Sequence, residues 1–177
     1  MAGPVFAASV ILPEDYKNSL LNDSKKISER NRYLLREEIE KQAISWGVAM
    51  VSNEEIDKIN ILQASFLAMH RAIDKHKVKP TLLLIDGNRF RPYPNIPNVC
   101  FIKGDGRFLS IAAASILAKT HRDDYMKNIH EQYPAYKWEK NKGYPTREHR
   151  KAILETGITP FHRKSFQLLD TQSKINF

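Results

Sequence analysis

The stretch TLLLIDGN, Thr81 to Asn88, decides how the rest of the chain is read. Leu82 to Ile85 form an unbroken apolar run, the pattern of a strand covered on both faces inside an α/β sheet. The run ends in Asp86, and Gly87 with Asn88 turns the chain away. A carboxylate at the mouth of a buried strand is costly unless something positive meets it. One side of Asp86 therefore speaks for the fold, and Asp86 itself for the chemistry.

Working outward, strands alternate with helices. Gly3 to Leu12 reads as a strand closed by Pro13, and Ser28 starts a helix to about Ser45. Trp46 to Ser52 returns as a strand. Asn53 caps a short acidic turn, NEEIDKIN, and Asn60 opens a helix through about Lys77. Ile61, Leu62, Ala64, Ser65, Ala68 and Met69 form the expected inner face of that helix. Arg89 to Asn98 carries three prolines and reads as a stiff loop. Val99 to Lys103 is another strand. GDG then turns the chain into a long helix beginning SIAAASILAK, whose small residues let it lie close against a sheet. A last helix runs from Arg147 to about Glu155 and stops at Gly157. The pattern is that of one α/β domain spanning residues 1–177, with helices packed on a sheet.

Composition narrows the function. The 28 Lys and Arg against 20 Asp and Glu give a net charge of +8, which favours a polyanionic partner. A single cysteine, Cys100, excludes an intrachain disulfide and fits a reducing cytoplasm. No apolar run approaches the length of a membrane span. P-loop, GxSxG, GxGxxG and Cys-His nucleophile patterns are absent from the sequence. The six histidines show no HExxH or paired i,i+4 spacing and read as surface or capping residues.

That leaves the carboxylates. Asp86 and Asp105 each stand at the C-terminal end of an expected strand beside glycine, where α/β sheets build sites. If the two strands are neighbours, both carboxylates reach one edge of the sheet. Two close carboxylates repel unless a cation lies between them, and oxygen-only ligation suits Mg²⁺ or Mn²⁺. Metal-assisted hydrolysis of a phosphodiester is the chemistry these residues best allow. A small-molecule phosphotransferase with Asp86 as nucleophile is the weaker alternative, since Asp86-Gly87-Asn88 offers no second carboxylate.

Read together, AGPVFAASVILP, LNDSKKIS, NEEIDKINILQASFLAMHRAI, LLLIDGNR, IKGDGRFLSIAAASILAKTHRDDYM, KNKGYPTREHRKAI and TPFHRKSF resemble bacterial ribonuclease HII over nearly the whole chain. The resemblance implies a ribonuclease H-like mixed sheet flanked by helices. It also implies cleavage of RNA in RNA–DNA hybrids, or of single ribonucleotides embedded in duplex DNA, leaving 3′-hydroxyl and 5′-phosphate ends with Mn²⁺ or Mg²⁺. On this resemblance Asp86 and Asp105 match the third and fourth acidic metal ligands. Tyr144 matches the tyrosine that stacks on the sugar beside the ribonucleotide. Asp23, Ser24 and Lys25 match a loop near the cleft, with Lys25 as a phosphate contact. His162, Arg163 and Ser165 match an HRxSF segment that faces the substrate or supports the fold. The complete enzyme is expected to be monomeric.

One part of the pattern is missing. The family's first strand ends DEAGRG shortly before AGPV, whereas here only Met1 precedes Ala2 to Val5. The expectation is a chain cut at its amino terminus, without the central strand and without the first two acidic ligands. Weak nucleic-acid binding with slow or no cutting is then expected of these residues taken alone. Two readings stay open: the nuclease, and a non-catalytic nucleic-acid-binding remnant.

Overall fold

The computed structural model describes residues 1–21 and 27–169. Asp23, Ser24 and Lys25 of the polar loop lie outside them. Strand β1 (Val5–Ile11) pairs antiparallel with β2 (Ser45–Val51), in a register running from Val5 opposite Val51 to Ile11 opposite Ser45. Between them lies α1 (Glu29–Gln42), whose Ser28 side chain caps the Asn31 amide. Strand β3 (Leu83–Asp86) pairs in parallel with β4 (Asn98–Phe101). A 3₁₀ turn (Gly104–Gly106) leads to the 24-residue α3 (Leu109–Gln132). Short α4 (Trp138–Asn141) and α5 (Arg147–Thr156) follow, the latter capped by Thr146 and ended by Gly157 at φ 81°.

The mixed α/β architecture with flanking helices is the one expected. Its described strands fall into two pairs, β1–β2 and β3–β4, rather than one continuous sheet. A groove of about 780 Å³ separates the pairs, walled by β1, by β3 with the segment before it, and by the start of α3.

Helix α3 floors this groove. Its Ala112, Ala113, Ile116 and Leu117 are buried against Val10 and Val48 of the first sheet and Leu35 and Ile39 of α1. Small residues at the contact let the helix backbone come close, as the SIAAAS run suggests.

Helix α2 (Asn53–Ile73) departs from expectation. NEEIDKIN is not a turn but the first two turns of the helix, because Ser52 and Glu55 form a reciprocal capping box. Glu55 then pairs with Arg71 at 2.7 Å. Asn60 does open a second segment: at φ 64° it kinks the helix, and its side chain accepts the Leu62 and Gln63 amides. The kink resets the phase of the inner face. Ile56, Ala64, Ala68 and Ala72 are buried, while Ile61 and Leu62 point outward.

Candidate active site

Because β3 and β4 are parallel neighbours, their C-terminal ends open on the same side. Asp86 is exposed at the end of β3, and its Oδ1 accepts the Gly104 amide at 2.9 Å. That bond ties it to the turn carrying Asp105. The turn is compact because Lys103 takes a left-handed φ of 56° and Arg107 N–H closes back on the Gly104 carbonyl at 2.9 Å. Gly104 is buried, and a Cβ there would stand 2.6 Å from Ile111 Cδ1. Any larger residue would force the Ile111 side chain to shift. Asp105 is buried, yet no described residue hydrogen-bonds or ion-pairs with its carboxylate.

These two groups suit a hard divalent cation. Their ligands are oxygens only, and among the described residues one Asp86 oxygen stays open and the Asp105 carboxylate has no competing partner. Among the described residues no three Asp, Glu, His or Cys side chains come together around a metal position.

A second cluster forms around Tyr144. Its ring is 56% exposed, and the Arg122 guanidinium lies over it, 5.2 Å from the centroid. Gly143 takes φ 76°, and a Cβ there would meet the Ala2 carbonyl at 2.6 Å, so the loop can approach the amino-terminal segment only with glycine. Arg163 is buried beside it, donating from Nε to the Gly3 carbonyl at 2.9 Å and from Nη2 to the Pro4 carbonyl at 3.3 Å. Burial, with Arg122 nearby, pulls its guanidinium down to about 10. Arg163 thus clamps the backbone leading into β1. Ser165 is engaged elsewhere, donating to Asp57 at 2.6 Å.

The histidine reading needs correction here. His149 and His162 are fully buried rather than at the surface. Thr159 N–H donates to His162 Nδ1 at 2.9 Å, which leaves the His162 proton on Nε2, facing His149 Nε2 at 3.1 Å. His149 Nε2 also accepts the Trp138 Nε1 proton at 3.1 Å. His149 Nδ1 in turn donates to the Tyr144 carbonyl at 2.9 Å. This relay requires both rings neutral. Desolvation supplies that condition, lowering His149 and pulling His162 down to about 4.

The structure ties Asp86 to the turn that carries Asp105 and sets Arg163 near Tyr144. No hydrogen bond, ion pair or ring contact among the described residues joins the two clusters. The relay escaped the sequence reading. Its histidines are 13 positions apart, and what joins them is a tryptophan N–H and a threonine amide supplied by other segments.

The fold is mixed α/β, with Asp86 ending β3 and Asp105 in the turn after its neighbour β4, and comparison with known proteins says which family this is. Residues 1–169 match the family model for ribonuclease HII. A ribonuclease HII from Bacteroides thetaiotaomicron is 65% identical over 178 aligned positions, covering 100% of this chain and 89% of that protein. Two solved structures share the fold. The ribonuclease H2 of Pyrococcus horikoshii aligns with a TM-score of 0.74 at 20% identity, over 94% of this chain and 90% of that one. The RNase HII from Archaeoglobus fulgidus, solved in a complex with PCNA, aligns with a TM-score of 0.71 at 25% identity, over 92% and 86%. The chain belongs to the ribonuclease HII family, and so to the RNA-degrading hydrolases of the ribonuclease H class.

Proposed function

We propose that this protein is an endonuclease that cuts RNA hybridised to DNA, or a single ribonucleotide embedded in duplex DNA. It leaves 3′-hydroxyl and 5′-phosphate ends and removes ribonucleotides from DNA. The observation that carries this reading is the Asp86–Asp105 pair in a ribonuclease HII chain, Asp86 ending β3 and Asp105 in the turn after its parallel neighbour β4. Asp86 and Asp105 would hold Mn²⁺ or Mg²⁺, which when bound supplies an activated water and stabilises charge on the phosphate. Gly104 N–H orients the Asp86 carboxylate so that its second oxygen stays open. Tyr144 stacks on the sugar of the ribonucleotide, with Arg122 behind its ring and the histidine relay behind its backbone. Lys25 and Ser24 contact phosphate, while Arg163 fixes the strand entrance beside Tyr144. The protein acts in the cytoplasm.

A non-catalytic nucleic-acid-binding role is the second reading, favoured by the two-carboxylate set. Incubation with all-DNA duplex, RNA–DNA hybrid and duplex containing one ribonucleotide separates them, with Mg²⁺, Mn²⁺ or EDTA. Metal-dependent cutting of the two RNA-containing substrates alone supports the nuclease. Binding of all three without cutting supports the remnant.

A further inference from the structure

Arg107 stands two residues beyond Asp105. Its guanidinium lies over two rings, 5.4 Å from the Phe101 centroid and 5.5 Å from that of Phe108, and the rings themselves are 4.4 Å apart. Both distances are within cation–π range. The residue is exposed, and no described carboxylate ion-pairs with it. Other arginines differ in this respect: Arg36 is bound to Glu40 and Asp124, and Arg71 to Glu55. Arg107 is therefore held in place without being neutralised. It also lines the groove wall together with Asp86.

We propose that Arg107 is a phosphate-binding residue of the cleavage site, gripping the nucleic-acid backbone beside the Asp86–Asp105 pair. The inference rests on the nuclease reading and adds to it a residue that the acidic pattern does not indicate. Two carboxylates at a strand end repel a polyanion, and a fixed guanidinium next to them offsets that repulsion where the backbone must dock. Both rings lie to one side of the guanidinium, leaving its N–H edge to water or to phosphate oxygens, which it can contact in a fork. Contact of this kind positions the strand and reads no base. The grip is the same on DNA and RNA.

The test is fluorescence anisotropy of a labelled RNA–DNA hybrid, titrated with the full chain across a salt series without divalent metal. Arg107→Ala should weaken binding about tenfold and make the slope of log K against log salt shallower by about 0.9, one phosphate contact. Arg107→Lys should restore the slope while recovering only part of the affinity, since an ammonium lacks the planar fork. Lys41→Ala, an equal loss of charge on α1, should change affinity less than about twofold. Wild-type affinity and slope in Arg107→Ala would overturn the proposal and leave Arg107 as a cover for the Phe101–Phe108 pair. If the unmodified chain fails to bind hybrid at any salt, the nuclease reading falls and this inference falls with it.

Discussion

Removing one imidazole, in His149→Ala, tests how the Tyr144 loop is held. The substitution leaves the Trp138 Nε1–H and the His162 Nε2–H without an acceptor, and the Tyr144 carbonyl without its donor. Trp138 and His162 are fully buried, so water does not reach them in the intact fold. Each buried orphan costs roughly 1–3 kcal/mol. Allowing for partial relaxation and for a water entering the space left by the ring, the expected loss is about 3–5 kcal/mol. For a chain of this length each kcal/mol lowers Tm by about 2–4 °C, so a drop of roughly 10 °C is expected by differential scanning calorimetry. The pH dependence gives a second reading. His162 sits near 4 in the folded protein against an ordinary 6.5, so the unfolded chain takes up the proton first as pH falls. Its contribution is complete above about pH 6.5 and is lost progressively down to about 4, roughly 3 kcal/mol across the window. His149→Ala should flatten that slope by opening the site to water. A loss below about 1 kcal/mol, with the slope unchanged, would refute the relay.

Asp86→Asn should abolish metal-dependent cleavage while leaving Tm within about 2 °C of wild type, because the residue is exposed and an amide oxygen can still accept the Gly104 N–H. Asp105→Asn should also be severe, with Mn²⁺ rescuing more activity than Mg²⁺ in a metal titration, since Mn²⁺ accepts imperfect oxygen ligation more readily. Tyr144→Ala should weaken binding of ribonucleotide-containing duplex by about 1–3 kcal/mol with little change in melting, the ring being mostly exposed. Normal binding with early melting would make the ring a packing element. Sedimentation velocity should show concentration-dependent association or precipitation, because β1 and β3 each present an unpaired edge to the groove.

Sequence pattern was most informative where one local rule decided the outcome. The apolar run before Asp-Gly did mark a strand ending in a carboxylate, but only Leu83 and Ile85 are buried while Leu82 is exposed outside it, and its parallel pairing with β4 carried no local signal. Pattern misled where two local rules competed. The charges of NEEIDKIN look like a solvated turn, but the Ser52–Glu55 box makes them a helix start, and the Asn60 kink turns Ile61 and Leu62 away from the core. Tyr144 and Arg163 carry no signal of their own and were reached only through resemblance. His149, His162 and Arg107 owe their environments to segments distant in sequence or to the path of a turn, which no periodicity encodes.

The most direct test of the account is single-turnover incubation of excess protein with a duplex carrying one ribonucleotide, with the product ends mapped. The excess lets slow cutting by a two-carboxylate site register. The account predicts a single incision at the ribonucleotide, with a 3′-hydroxyl and a 5′-phosphate, requiring Mg²⁺ or Mn²⁺ and lost in Asp86→Asn. Intact duplex after prolonged incubation with protein that demonstrably binds it, or incision that persists in Asp86→Asn, would contradict it.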